Sequence, residues 1–128
     1  MASRMVLRMS WSKWRVLSMR TLKFNVRDQT LEKDPKCDFS NIVSGSKGYL
    51  LFEFNFSEEL NGYRKVACFI DGPDVEYVPI INERCIVPDN VTDSRKISFF
   101  LTFVANDQKF ATNKLSMKQE VNVHEDIR

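Results

Sequence analysis

Residues 48–56 read GYLLFEFNF, with Leu50, Phe52, Phe54 and Phe56 at every second position. A strand turns alternate side chains to opposite faces, so these four line one side of a sheet. Tyr49, Leu51, Glu53 and Asn55 fall on the other side, which is polar only toward its end. Residues 96–104, KISFFLTFV, repeat the pattern, with Ile97, Phe99, Leu101 and Phe103 against Ser98, Phe100, Thr102 and Val104. These two ribbons are predicted to sit centrally, either one in each of two sheets or side by side.

The rest of the chain supplies shorter strands. Residues 20–27 alternate with Leu22, Phe24 and Val26 inward, and a short strand fits residues 29–33. The stretch to Gly48 holds Pro35, Gly45 and many Asp, Asn and Ser, and reads as a turn-rich connection anchored by Leu31, Ile42 and Val43. Ser57 opens a short connection that accommodates one helical turn with Glu58 and Glu59 at its start, and Asn61-Gly62 signals a turn. Residues 63–71 place Val66, Cys68 and Ile70 on one face and Ala67 and Phe69 on the other, as expected for a strand between two layers. Residues 76–81 and 84–87 read as a hairpin about Asn82-Glu83, with Pro79 indicating an edge or a bulge. Residues 88–90 break the pattern. Residues 109–123 return as one long or two broken strands, with Leu115, Met117, Val121 and Val123 on the apolar face. Roughly seven or eight short strands with turn signals between them, and no strand–helix–strand alternation, predict an all-β sandwich or barrel.

A chain of 128 residues is one domain and can bury a core without staples. Ten of its fifteen aromatic residues are Phe, which has no polar handle and so belongs mostly in that core. The net charge of +2 is unevenly spread. Residues 1–18 hold Arg4, Arg8, Lys13 and Arg15 and no acid, leaving 15 basic and 17 acidic residues for the rest. The globular part therefore has no basic excess to attract nucleic acid. Three domains of organisation follow: a basic extension over 1–18, a β domain over 19–123, and a charged, frayed end over 124–128.

Residues 1–18 contain neither the continuous apolar stretch of a secretory signal nor a run of membrane-spanning length. On a helix, Leu7, Trp11, Trp14 and Ser18 share a stripe beside Arg8 and Arg15, a shape that lies on a membrane surface or in a partner's groove. The competing reading is a start-site artefact, with translation beginning at Met19 instead. Cys37, Cys68 and Cys85 have no CxxC spacing and read as buried thiols in a reducing compartment, with a Cys68–Cys85 disulfide as the alternative.

No catalytic constellation stands out. His124 is the only histidine and lies near the end of the chain, a poor place for an oriented base. Three scattered cysteines and one histidine lack zinc-ligand spacing. The acidic pairs Asp34/Asp38 and Asp71/Asp74 have the oxygen chemistry of calcium ligands, but such pairs are more often simply turns. Glu58 and Glu59 are adjacent and so do not flank a sugar bond, and no glycine-rich phosphate loop is present. A non-enzymatic binding or structural role without catalytic, cofactor or metal residues is the expectation. The candidate partner-binding residues are Trp11, Trp14, Arg15, Tyr49, Leu51 and Tyr63. A carbohydrate-binding face is disfavoured, because the part after residue 18 has no Trp to stack on a sugar.

The opening strand at residues 20–27, the acidic connection DxxCDFSxIVxGSxGY over residues 34–49, and the aromatic strand ending FNFS together carry a resemblance. It continues through residues 58–69, Cys85 to Pro88 and Thr112 to Lys114, covering roughly residues 19–121. This pattern resembles small proteins encoded in the tail regions of phages and prophages of Gram-positive bacteria, and is similar to the immunoglobulin-like N-terminal module of phage baseplate upper proteins. Residues 1–18 have no counterpart in it. The resemblance implies an antiparallel, immunoglobulin-like sandwich. It also implies a tail, baseplate or virion-surface protein that binds phage tail proteins or its own copies, made in the host bacterial cytoplasm and carried in the virion. The alternative is a small phage-encoded inhibitor acting in that cytoplasm on a host defence protein such as a CRISPR nuclease.

Overall fold

In a computed structural model, which describes residues 19–121, the two phenylalanine ribbons become inner strands of two facing sheets. The strands are β1 (Arg20–Arg27), β2 (Thr30–Lys33), β3 (Leu50–Phe56), β4 (Arg64–Asp71), β5 (Asp74–Pro79), β6 (Arg84–Ile86), β7 (Lys96–Ala105), β8 (Gln108–Ala111) and β9 (Leu115–Lys118). A 3-10 turn spans Glu58–Leu60, and a short helix, α1, spans Asp89–Thr92. The first sheet has the order β2-β1-β3-β6 and the second β5-β4-β7-β8. β4 takes one side of β7, so β8 and β9 share the other, β9 on Lys96–Phe99 and β8 on Thr102–Ala105. The protein is an all-β sandwich.

The core lies between the inward rows of these sheets. Phe24, Phe52 and Phe54 of the first meet Phe69, Phe99 and Phe103 of the second, all fully buried. Phe99 joins the two sheets, with ring centroids 4.9 Å from Phe52, 5.1 Å from Phe24, 5.6 Å from Phe69 and 6.2 Å from Phe54. Each buried ring contributes about 1.5–3 kcal/mol by removing apolar area from water, and edge or offset pairs add about 0.5–1.5 kcal/mol.

Three departures from the sequence reading have physical causes. The sheets are not wholly antiparallel: β1 and β3 pair in parallel, from Arg20↔Leu50 to Val26↔Phe56. A parallel pair needs a crossover, and residues 34–49 supply it by carrying the chain back to the start of β1. There the Arg20 guanidinium donates to the carbonyls of Asp38, Ser40 and Asn41. Nine strands form where roughly seven or eight were expected, and the return over residues 109–123, read as one long or two broken strands, takes the broken form as β8 and β9. The expected hairpin over 76–81 and 84–87 is instead a crossing between sheets. Asn82 and Glu83 do make the tight turn, with φ of 55° and 64°, but a single bridge, Ile81↔Arg84, closes it. β5 folds back on β4 through Gly72-Pro73, while β6 pairs with β3, where the Phe54 N–H donates to the Glu83 carbonyl.

α1 forms where the sequence showed only a break. Its Thr92 hydroxyl donates to the carbonyl of Ser46, and the buried Gln119 amide donates to the carbonyls of Thr92 and Ser94. Val43 pairs in parallel with Glu120 beside it. The crossover connection, α1 and the segment after β9 thus close one end of the sandwich. Among the described residues no helix is long and apolar enough to cross a membrane.

Candidate interaction surface

The outward faces of the two sheets differ in chemistry. The first presents Lys23, Asn25 and Arg27 from β1, Glu32 from β2, Glu53 and Asn55 from β3, and Arg84, whose guanidinium lies 3.7 Å from Glu53. That part of the face is polar and partly exposed, whereas Leu51, on the same side of β3, is buried. On the second, the register places Tyr77, Cys68 and Phe100 in one row, and Pro79, Val66, Thr102 and Ala111 in the next. Val75 and Ile70 follow on the other side of the first row. β4 therefore does not have a layer on each side. Its inner residues Ala67 and Phe69 are core, and its outer residues belong to an apolar sheet face that the described residues leave open.

This face is shallow, with a groove of about 480 Å³ between Val66, Tyr77, Phe100, Thr102, Val104 and Ala111. Tyr77 is 67% exposed and Val75 36% exposed. Cys68 is recessed between larger neighbours: its sulfur lies 3.4 Å from the Thr102 hydroxyl, and desolvation pushes its thiol pKa up. Val66 and Val104 continue the groove into a larger cleft of about 850 Å³, walled by Phe56, Tyr63, Ile80 and Ile81. Lys65 stands in this cleft, donating to the Tyr63 carbonyl at 3.0 Å and lying 5.2 Å above the Phe56 ring. Burial lowers its ammonium pKa, with Glu83 opposing.

Sheet edges, by contrast, are blunted. In β5 the Ile80 N–H bonds back to Lys65, so by antiparallel alternation Val75, Tyr77 and Pro79 face outward, and Pro79 has no N–H. Two outward donors are a poor template for an added strand. At the β2 edge, the Asn113 side chain accepts from the Leu31 N–H at 2.7 Å and donates to the Leu31 carbonyl at 3.0 Å. β6 is three residues long.

The residues singled out in the sequence do not gather into one site. Tyr49 is 48% exposed just before β3, near Arg20, Ile42 and Val43. Tyr63 belongs to the other end of β3: it is half-buried, donates its hydroxyl to Gln108 at 2.6 Å, and packs edge-on against Phe103 and Phe110. Leu51 is corrected: it is 0% exposed, flanked in register by Thr21 and Ile86, and offers a partner nothing while the fold is closed. Trp11, Trp14, Arg15 and His124 lie outside the described residues. Tyr77, Phe100 and Val104 were missed as surface residues, though the apolar character of both faces in residues 63–71 and 96–104 was the available signal.

All three cysteines are free, with Cys68 and Cys85 buried and Cys37 half-buried, so the Cys68–Cys85 disulfide is not formed. Among the described residues no group of three or more His, Cys, Asp or Glu is placed to hold a metal ion. Asp38 is engaged within its own turn, where hydrogen bonds from the Ser40 hydroxyl and N–H hold its carboxyl below the usual range. No protein-family model matches the chain, and no curated protein matches it.

Proposed function

We propose that this chain is a non-enzymatic structural or interaction protein of a phage or prophage, a tail, baseplate or virion-surface component that works by docking on protein. The observation that carries the docking is the outward face of the second sheet. Val66, Phe100, Thr102, Val104 and Ala111 leave an apolar field where its counterpart on the first sheet is charged. Large exposed apolar patches on β-scaffolds mark interaction sites. The phage assignment rests on the motif running through residues 34–56.

Mass spectrometry of purified virions tests both parts. The expected result is this chain in stoichiometric copies with tail proteins, and its loss from particles carrying Tyr77→Glu, which buries a charge in the docked face without touching the core. Absence from virions, with a host defence enzyme co-purifying from infected cells instead, refutes the structural role in favour of inhibition.

A further inference from the structure

Accepting that docking face, we infer that its occupant is an acidic amphipathic helix of a partner protein, laid along β7 with its apolar stripe in the groove and carboxylates at both ends. The apolar field of the face is closed at each end by cations. At one end the register sets Arg64 level with Val104, and Val104 level with Lys109. At the other it sets Lys96 level with Lys118. Strand alternation puts all four on the outer side with Val66 and Phe100, and all four are exposed. Among the described residues none of the four forms an ion pair, and no acid shares their rows. Asp74 and Glu76 stand on the inner side of β5, opposite Asp71 and Phe69, and Asp107 lies in the turn past β7.

The single sign of these charges decides among occupants. A second copy would lay cation on cation, and like charges across an interface cost affinity. Residues 1–18 carry four basic residues and no acid, so they meet the same repulsion. Nucleic acid presents a phosphate about every 3.4 Å along each strand and needs cations along its whole track. Here the middle row is Tyr77, Cys68 and Phe100. Membrane binding buries apolar groups roughly 5–10 Å into the headgroup boundary. Along the middle of this face the surface is instead hollow, with Cys68 1% exposed and Phe100 half-buried. A hollow, apolar, cation-ended face fits a convex rod of the opposite sign, the shape used in helix-in-groove docking.

Length sharpens the match. Val104 and Lys96 are the ends of the outer row of β7 and lie eight residues apart, about 26 Å at roughly 3.3 Å per residue. A helix rises about 1.5 Å per residue, so about 18 residues cover that distance in about five turns. A whole number of turns returns to the same side, so acids at the two ends share the face of the apolar stripe between them. A footprint about 26 Å by about 10 Å is roughly 260 Å², well below the roughly 800 Å² per partner of a standard interface. The complex is therefore weak, and exposed charges make it sensitive to salt.

Fluorescence anisotropy on the full chain tests the arrangement. The probe is a labelled helical peptide of about five turns, with leucines on one stripe and glutamate pairs at both ends. The expected result is saturable binding that weakens as sodium chloride rises. Exchanging the peptide's glutamates for lysines should weaken it at least about tenfold. The Arg64→Glu/Lys96→Glu/Lys109→Glu/Lys118→Glu variant should reverse that preference, and reversing the cations of either end alone should weaken the glutamate peptide. The four side chains are exposed, so the fold survives, as a circular dichroism spectrum would verify. No binding of the glutamate peptide, equal binding of both peptides, or a variant that binds like its parent overturns the inference. Phosphatidylserine vesicles or a DNA duplex bound more tightly than the peptide, and lost in the fourfold variant, overturn it in favour of that surface. The docking reading is separable: a fourfold variant kept in virions from which Tyr77→Glu is lost retains that reading and discards this one.

Discussion

Replacing Asn113 by Ala should cost about 1–3 kcal/mol, although the residue is exposed and touches no core ring. Its side chain acts as a one-residue strand along the free edge of β2, accepting from the Leu31 N–H and donating to the Leu31 carbonyl. Both bonds are part-buried, and Leu31 itself is buried. Each such bond contributes about 0.5–1.5 kcal/mol net, which sets the range for two. The nearly isosteric Asn113→Asp separates the two bonds. It keeps the acceptor for the Leu31 N–H but turns a carboxylate oxygen toward the Leu31 carbonyl. At neutral pH it should be at least as damaging as the alanine. The repulsion raises the aspartate's pKa in the folded state. A raised folded pKa means that the lost stability returns as pH falls through the folded value, and is fully regained below the unfolded value of about 3.9. Urea denaturation followed by circular dichroism measures this as a lower midpoint at unchanged slope. Surface substitutions without a specific role stay within about 0.5 kcal/mol. An alanine variant inside that band, or an aspartate variant as stable as the parent at neutral pH, refutes the clamp.

Phe99→Ala removes a ring that touches four others across both sheets and should cost about 3–5 kcal/mol by the same denaturation assay; a loss below about 2 kcal/mol would mean that the core collapses around the gap. In a thiol-reagent titration Cys37 should react first and Cys85 only on unfolding, because burial both shields the Cys85 thiol and pushes its pKa up. Modification of Cys85 in the native protein would contradict that ordering. Glu59 has a depressed pKa chiefly because the Ser57 hydroxyl donates to it, so it adds stability above its unfolded pKa that is lost as pH falls through the folded one. Ser57→Ala should move its NMR titration midpoint upward, and an unmoved midpoint would assign the effect elsewhere.

The inward row of β3 and that of β7 were legible because period two and Phe content survive any arrangement of sheets. Pairing was not. Asn82-Glu83 announced its turn, but nothing local distinguishes a hairpin from a crossing, and the choice was made by β4 and β3 competing for the two arms. The parallel β1–β3 pair was hidden for the same reason, since it depends on where residues 34–49 travel. Leu51 looked available because it alternates away from Phe52, yet it is fully enclosed. The docking face was half-visible: Val66, Cys68 and Ile70 were read as apolar, but an inner layer and an unshared surface have the same composition, and only the register tells them apart.

The crossover that makes β1 and β3 parallel also has a consequence during synthesis. Strands β1, β2 and β3 can pair once Phe56 has left the ribosome, but the lid over their Phe24, Phe52 and Phe54 rings is not complete until Ala105 follows, 49 residues later. At about 5–20 residues per second that interval lasts roughly 2–10 s. A nascent chain with three uncovered phenylalanines for so long is a natural client for a ribosome-associated chaperone.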